Sequence, residues 1–214
     1  MGERRTSLGG SAIRAVRDYE PRDRAALYDV CLRTGASGDD ATALYADPLL
    51  IGEVWVGPYV DLEPELALVV DAGAGAEGYV VGALDTRAFE ARCEREWWPR
   101  LREEHPLPAP STPADAHLVR LVHAPPRSPD AVVADHPSHL HINLLPRGQG
   151  GGRGRLLIEG LLERLAQAGS PGVHLGVGAD NVRARGFYEH LGFSAVEVTP
   201  ATHWLGRRLG RRLG

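Results

Sequence analysis

Apolar residues in the second half of the chain fall into short unbroken runs separated by stretches with helical spacing. The runs at 139–145 and 173–177, each bounded by proline or glycine, predict two buried strands. Between them, apolar residues at 156, 157, 161, 162 and 165 are interspersed with charged and amide residues, which predicts an amphipathic helix. A second helix at 182–191 and closing strands at 194–198 and 202–205 complete a region of alternating strands and helices.

The first half of the chain contains one clear hairpin signal. Apolar runs at 65–71 and 78–84 flank an Ala/Gly-rich connection, which predicts two antiparallel strands. The other predicted elements are a strand at 13–16 and helices at 21–34, 41–45 and 86–104. Within the last of these helices, Trp97 and Trp98 are expected to pack it onto the sheet, with the lining of a substrate channel as the alternative.

Two segments lack a helical pattern. Residues 49–60 are rich in aromatic side chains and are predicted to form a loop. Residues 105–138 contain so many prolines that we expect a long structured loop with a short strand at 116–123, and no helix. Such an excursion from a rigid sheet is a natural place for substrate specificity.

Length, charge and composition narrow the class of protein. A chain of 214 residues with 43% hydrophobic and 24% charged residues can bury a proper core. We expect one domain at 11–205, with the 105–138 insertion, a flexible N-terminus at 1–10 and a flexible basic tail at 206–214. The net charge of −4 argues against a general nucleic-acid binder, and all 24 basic residues are arginine. No membrane span or signal peptide is visible, so we expect a cytoplasmic protein, monomeric or homodimeric, with reduced Cys31 and Cys93.

A glycine-dense turn separates the strand at 139–145 from the helix that follows. Glycines allow positive φ and close approach of a ligand, and a helix N-terminus offers unpaired N–H groups and a positive dipole end. Together these features predict a phosphate cradle, with cationic charge from Arg147, Arg153 and Arg155. The glycines are Gly148, Gly150, Gly151, Gly152 and Gly154. Two other interpretations are a flexible Gly/Arg linker and an Arg-Gly-Gly segment that binds RNA, although the adjoining strand and helix disfavour both.

Two motifs in order carry a resemblance to a known family. The frame Gln149-x-x-Gly152-x-Gly154 resembles the acetyl-CoA loop of the GCN5-related N-acetyltransferases (GNAT). About thirty residues later, Asn181-x-x-Ala-x-x-x-Tyr188 followed by Gly-Phe resembles the family's second motif. More specifically, residues 13–205 resemble the acetyltransferase-like C-terminal domain of animal O-GlcNAcase and its free-standing bacterial relatives.

The resemblance implies both a fold and an activity. It implies a mixed α/β sheet of six or seven strands, with helices on both faces and central parallel strands that splay apart to admit acetyl-CoA. It also implies transfer of an acetyl group from acetyl-CoA to a primary amine, by direct attack in a ternary complex. The alternative is a catalytically silent acetyl-CoA-binding module, because the cofactor loop is degraded in the animal domain. The acceptor stays open among small amines, peptides and protein lysines.

The resemblance also assigns roles to residues. The CoA pyrophosphate is expected on the backbone of Gln149, Gly150, Gly151, Gly152, Arg153, Gly154 and Arg155. The backbones of Leu144 and Leu145 are expected to bind the pantetheine amides. Asn181 is expected to contact the pantetheine arm, with a helix N-cap as the alternative. Tyr188 is expected to protonate the leaving thiolate and to lie against the cofactor, with aromatic packing as the alternative.

The general base is the least determined part of the site. His139 and His141 are two residues apart and therefore lie on one face of their strand, and imidazole has a suitable pKa. A related His-x-His pair in the arylalkylamine acetyltransferases lies one residue further from the loop, and a shift of one residue reverses the face. Asp85 is the other candidate. A zinc site on His136, His139 and His141 is disfavoured because no carboxylate or cysteine stands at a fixed spacing.

Overall fold

A computed structural model describes residues 16–71, 73, 75–108 and 112–210. Its centre is one seven-stranded sheet, in the order β1-β2-β3-β4-β5-β7-β6. The strands are β1 (Val16–Asp18), β2 (Ala67–Asp71), β3 (Ala76–Ala83), β4 (Ser138–Leu144), β5 (Gly172–Gly178), β6 (Ser194–Val198) and β7 (Thr202–Arg208). The sheet confirms the predicted mixed α/β class and its strand count. Of the strand predicted at 13–16, only Val16 lies within the described residues.

All neighbouring strands pair antiparallel except β4 and β5, which are parallel. The predicted hairpin is confirmed, since β2 pairs with β3 through Ala67↔Val81 to Val70↔Gly78. The helix between β4 and β5 supplies the crossover that a parallel pair requires.

Helices cover both faces of the sheet. They are α1 (Arg24–Leu32), α2 (Leu50–Trp55), α3 (Gly57–Leu62), α4 (Thr86–Arg92), α5 (Trp98–Glu104), α6 (Pro113–His123), α7 (Asp130–Asp135), α8 (Arg153–Gln167) and α9 (Val182–His190). Alternate residues of β2 and β3 contribute to two cores, because successive side chains point to opposite faces. Val69 and Tyr79 pack with α1 to α6, whereas Val70 and Val80 pack with α8 and α9.

The prediction for residues 105–138 was wrong about local structure. A three-turn helix, α6, occupies the place of the predicted strand, and α7 follows it. The Thr112 side chain caps α6 by accepting from the Asp115 N–H, and Pro113 occupies the first turn, where its missing N–H costs nothing. Leu118 and Val122 are buried on the face of α6 that meets the core. The prolines therefore begin and separate the helices and do not exclude them.

The prediction of a loop at 49–60 was also wrong. Helices α2 and α3 lie there, with Leu50 and Val54 buried four residues apart. Gly52 within α2 is required by packing, since a Cβ at that position would lie 2.4 Å from Cγ of Tyr28. The glycines and aromatic residues that suggested a loop are instead the contacts by which two short helices pack closely.

The helix predicted at 86–104 is interrupted by a π-helical turn, Cys93–Trp97. The N–H of Trp98 bonds to the carbonyl of Cys93, five residues earlier. Pro99, in the first turn of α5, has no N–H to continue the ladder of α-helical hydrogen bonds. The turn shifts the helix face by one residue between α4 and α5.

The flexible tail was predicted to begin at residue 206, which is too early. Strand β7 extends through Arg208 and pairs Gly206 with His174 and Arg208 with Gly172. Residues 211–214 and the predicted flexible N-terminus lie outside the described residues. Cys31 and Cys93 are buried free thiols. Among the helices of the described ranges, none combines the length and apolar character needed to cross a bilayer.

Candidate active site between two parallel strands

The parallel strands β4 and β5 separate soon after they meet. Their ladder contains the pairs Ser138↔Val173 and His139↔His174 and then stops, although β4 continues to Leu144. On its other edge, β4 stays paired with β3 as far as Gly78↔Leu144. Within the described residues, one edge of β4 therefore has no strand partner from residue 140 onward, and this is the splay that the family resemblance implies.

A groove with a volume of about 870 Å³ occupies this opening. Residues from β4, β5, α9 and the glycine-rich turn line it. Of the predicted cofactor-binding residues, the lining includes Leu144, Gln149, Gly150, Gly152, Arg153, Gly154, Arg155, Asn181 and Tyr188. Gly151 lies in the same turn but not on the wall of the groove. The structure thus brings together two motifs that are far apart in sequence.

The glycine-rich turn has a backbone that only glycine adopts easily. Gly150, Gly151 and Gly152 have φ values of 79°, 59° and 77°, all in the left-handed region. Gly152 is the residue immediately before α8, a helix of 15 residues. The first turn of a helix leaves N–H groups without intrahelical acceptors, and its dipole favours a bound anion. The geometry fits a pyrophosphate.

Side chains around the turn hold its shape and add positive charge. Gln149 donates from Nε2 to the Leu144 carbonyl at 3.1 Å and accepts from Nη2 of Arg183 at 2.8 Å. Arg153, Arg155 and Arg183 all line the groove. Arg183 was missed from the sequence, because its position in α9 becomes relevant only once α9 packs beside the turn.

The backbone contacts of Leu145 argue against its predicted role in binding pantetheine. Its N–H donates to the Glu77 carbonyl at 2.9 Å, and its own carbonyl accepts from the Gly148 N–H at 2.8 Å. Its side chain is buried in the core on the other side of the sheet from α8. Its N–H is therefore not available to a pantetheine amide, and its carbonyl already accepts one hydrogen bond. The free edge of β4 lies earlier, between Leu140 and Leu144.

Asn181 and Tyr188 reach the groove from α9. The Asn181 Oδ1 accepts from the Ala184 N–H at 3.0 Å and so caps α9. The helix N-cap was one of the two roles expected of Asn181. Tyr188 is buried, and burial raises the pKa of its phenol above the usual value. Its ring packs edge-on against Phe193, while its hydroxyl has no hydrogen-bond partner within the described residues. Both residues line the groove.

A second cavity, which we call the aromatic chamber, lies beyond the point where β4 and β5 meet. Its volume is about 640 Å³. Its aromatic lining consists of Trp55, Tyr59, Phe89, Trp98 and Trp204 together with His139, His141 and His174. The groove and the chamber share part of their walls, namely Trp55, Leu140, His141, Leu175, Gly176, Val177 and Gly178. A ligand in the groove can therefore meet a ligand in the chamber beside His141.

His139 has no free nitrogen, which argues against its predicted role as a base. Its Nδ1 lies 2.8 Å from Oγ1 of Thr86, and its Nε2 lies 2.8 Å from the hydroxyl of Tyr59. The Thr86 hydroxyl donates its one proton to the Pro137 carbonyl, so its oxygen must accept from Nδ1–H of His139. Nε2 then accepts from Tyr59. Burial also lowers the pKa of His139 well below its usual value.

Among the three histidines of the chamber wall, His141 is the one whose nitrogens have no hydrogen-bond partner in the described part of the chain. His174 bonds through Nδ1 to the His136 carbonyl at 2.6 Å and through Nε2 to Ser128 at 3.1 Å. Neither nitrogen of His141 has a hydrogen-bond partner within the described ranges. Burial, with a smaller contribution from the charge of His174, lowers the pKa of His141 to about 4. The ring is therefore neutral at pH 7 and able to accept a proton.

The remaining candidates for chemistry lie elsewhere. Asp85 caps α4, with Oδ1 accepting from the Ala88 N–H at 3.0 Å, and it lines neither cavity. The described residues contain no cluster of three or more histidine, cysteine or acidic side chains arranged to hold a metal ion.

Tyr59 and Trp55 were not predicted as site residues, because they lie in the segment that was predicted to be a loop.

Acyl-CoA-dependent acyltransferases typically have a mixed sheet that opens between two parallel strands, with an anion-binding turn at one end and a second cavity at the other. Comparison with known proteins supports this class. Residues 84–193 match the family model described as "Acetyltransferase (GNAT) family". This match spans more than half of the chain, and the chain belongs to the GNAT acetyltransferase family. The predicted family resemblance is confirmed.

Individual relatives resemble this chain in sequence, and a solved structure also resembles it closely in fold. The crystal structure of SsHAT shares 44% sequence identity with this chain, with a TM-score of 0.86 over 92% of this chain and 98% of that one. Protein O-GlcNAcase of Rattus norvegicus is 26% identical over 187 residues, which are 85% of this chain and 20% of the relative. Mycothiol acetyltransferase of Beutenbergia cavernae is 32% identical over 174 residues, or 77% of this chain and 52% of the relative. The chain spans only a fifth to a half of the length of these two curated relatives.

Proposed function

We propose that this protein transfers an acetyl group from acetyl-CoA to a primary amine by direct attack in a ternary complex. The observation that carries the proposal is the position of His141, a neutral histidine with unengaged nitrogens on the wall shared by the groove and the aromatic chamber. Acetyl-CoA supplies the activated acetyl group as a thioester. The protein's residues supply positioning, proton removal and a hydrogen bond to the leaving sulfur.

Successive features of the groove match successive parts of acetyl-CoA. The positive-φ turn at Gly150–152 and the N-terminus of α8 fit the pyrophosphate, with Arg153 and Arg183 nearby. The unpaired edge of β4 fits the amides of the pantetheine arm as an added strand would. The thioester then lies where the groove ends, beside His141 and Gly176.

His141 acts on the amine that approaches from the chamber. An alkylammonium has a pKa near 10, so protonation of a histidine with a pKa of about 4 would cost roughly 8 kcal/mol before any bond forms. His141 therefore accepts a hydrogen bond from an amine that arrives neutral and orients its lone pair toward the thioester. As the C–N bond forms, the nitrogen-bound protons become far more acidic, and His141 takes one and passes it to water.

Tyr188 acts on the other side of the thioester. Burial raises the pKa of its phenol, so the hydroxyl keeps its proton at neutral pH. With no acceptor among the described residues, that proton is available to the sulfur when the C–S bond breaks. Its hydrogen bond lowers the charge on the leaving thiolate, which is stabilisation specific to the transition state.

The test is an assay of acetyl-CoA-dependent thiol release over a panel of primary amines. We expect release with at least one amine, appearance of the N-acetylated product in equal amount, and loss of both in His141→Gln. Tight binding of acetyl-CoA without release on any amine would contradict the proposal. That outcome would favour the silent acetyl-CoA-binding module, which needs only the groove.

A further inference from the structure

A defect in a helix brings Trp98 into the wall of the aromatic chamber. Phe89, Cys93 and Trp98 all line it, at successive spacings of four and five residues. A continuous α-helix would place residue 97 on that face, because side chains four apart lie one above the other. The π-helical turn at Cys93–Trp97 adds one residue and brings the indole of Trp98 into the wall. Trp97 points elsewhere and donates from its indole to the Glu53 carbonyl at 2.9 Å.

Other aromatic rings of the wall lie close to one another. The rings of Tyr59 and Phe89 stack with their centroids 4.5 Å apart. Trp55 and Tyr59 each lie against His141, with centroid separations of 5.5 Å and 5.4 Å. On the floor, a Cβ at Gly176 would lie 3.4 Å from the ring of Trp204, so the absence of a side chain there keeps the space above the sheet open beside Trp204. Flat aromatic walls favour a flat apolar ligand.

The charged residues of the chamber wall neutralise one another. Glu90 pairs with Arg87 at 2.8 Å and with Arg127 at 3.5 Å, and Glu94 pairs with Arg102 at 2.8 Å. These two are the carboxylates of the described chamber wall. No carboxylate of that described wall is therefore left unpaired to bind a second positive charge on a ligand. Polyamines and aminoglycosides, which carry several ammonium groups, are poorly matched to this wall.

We propose that the acceptor is a primary monoamine carried on a flat aromatic body, with the ring in the aromatic chamber and the amine beside His141. This inference rests on the proposed function, since it names the acceptor of the same site. The chamber volume of about 640 Å³ lies within the range of small-molecule sites and is large enough for one or two fused rings.

The competing location for an acceptor is the polar end of the groove. Ser37, Asp39, His117 and Asn143 line that end, on the same side of the sheet as the chamber. Asp39 is exposed there and makes no ion pair with any described residue. An acceptor with several positive charges would bind at Asp39 and not against Trp98. The two locations therefore predict opposite preferences and opposite mutational effects.

The experiment compares kcat/KM for 2-phenylethylamine, n-propylamine and spermidine in the unmutated protein, Trp98→Ala and Asp39→Asn. Full burial of an aromatic ring is expected to favour 2-phenylethylamine over n-propylamine by about tenfold to a hundredfold. Trp98→Ala should remove most of that preference by raising KM for 2-phenylethylamine more than KM for n-propylamine. Asp39→Asn should change neither. A preference for spermidine that Asp39→Asn abolishes would overturn the proposal.

Two further measurements keep the outcome unambiguous. Trp98→Phe keeps an aromatic ring in the wall and should retain most of the preference, provided that acetyl-CoA affinity shows an intact fold in both variants. Calorimetric titration of 2-phenylethylamine into the protein saturated with CoA reports binding without turnover. Binding that Trp98→Ala weakens tenfold, with no transfer to any amine, would support the chamber as the ring site and contradict the transferase activity. Absence of binding would contradict the chamber assignment even if another amine is acetylated.

Discussion

The hydroxyl of Tyr59 lies 2.8 Å from Nε2 of His139, and this contact decides which histidine of the pair is available for chemistry. Together with Thr86 on Nδ1, it locks His139 as a neutral, fully hydrogen-bonded ring. His139 thus holds Tyr59 in the chamber wall, where the tyrosine ring lies against His141. One histidine of the pair positions the wall, and the other, whose nitrogens have no partner among the described residues, is the one that we propose meets the amine.

Exchange of each histidine for glutamine should separate these two roles. His141→Gln removes the proton acceptor, and kcat should fall by about a hundredfold or more with little loss of stability. His139→Gln breaks two buried hydrogen bonds, which should lower the free energy of unfolding by about 1–3 kcal/mol and kcat by less than tenfold. Steady-state kinetics and urea denaturation of both variants measure this. A loss of rate in His139→Gln equal to that in His141→Gln, with stability unchanged, would reverse the assignment.

The sequence was sufficient for the frame of the site but not for its walls. The turn at Gly150–152 and the motif from Asn181 to Tyr188 are local signals, since each requires a particular backbone or cap that its own residues specify. Which atoms of Leu145 are free could not be predicted, because Glu77 and Gly148 occupy them only after the sheet forms.

The chamber was harder still to predict. Its wall depends on a one-residue shift at the π-helical turn and on two short helices whose glycines resembled loop residues. The sequence shows Pro99 beside Trp98. Which tryptophan faces the cavity, however, depends on the hydrogen bond between the Trp98 N–H and the Cys93 carbonyl. Packing, and not local propensity, decides such positions.

The glycine turn should be essential for binding of acetyl-CoA. In Gly152→Asp, a carboxylate is added where the pyrophosphate binds, and affinity should fall by about a hundredfold or more through charge repulsion and loss of the backbone cradle. Gly169→Asp is a matched control, because Gly169 also has a positive φ, of 89°, and open space around its Cα but lies outside the groove. Isothermal titration calorimetry with acetyl-CoA measures both. Equal affinities in the two variants would place the cofactor elsewhere.

Tyr188→Phe isolates the contribution of one hydroxyl. The ring keeps its contact with Phe193, so acetyl-CoA affinity should change by no more than the loss of one hydrogen bond, about 1 kcal/mol. The rate with a good amine should fall by about a hundredfold, the usual scale for a general acid. Rapid-quench kinetics of a single turnover reports the chemical step directly. Unchanged single-turnover rates would remove Tyr188 from the chemistry and leave it as a packing residue.

Stability should depend on pH through the buried histidines. In the unfolded chain a histidine titrates near pH 6.5, whereas burial lowers the pKa of His141 to about 4 in the folded protein. Between these values the unfolded chain binds the extra proton, so stability is lost as pH falls from 6.5 toward 4. Each such group contributes a slope of up to about 1.4 kcal/mol per pH unit.

Urea denaturation at several pH values tests this linkage. His141→Gln should reduce the slope between pH 6.5 and 4.5 relative to that of the unmutated protein. Identical slopes in the unmutated protein and His141→Gln would show that His141 is not held neutral by burial in the fold.

The central claim is that the thioester lies where the groove and the aromatic chamber meet. A crystal structure of the protein with acetyl-CoA tests it most directly. We expect the pyrophosphate on the turn at Gly150–152, the pantetheine amides on the free edge of β4 between Leu140 and Leu144, and the acetyl group in van der Waals contact with His141. An acetyl group outside the shared wall, with no path to the aromatic chamber, would contradict the account.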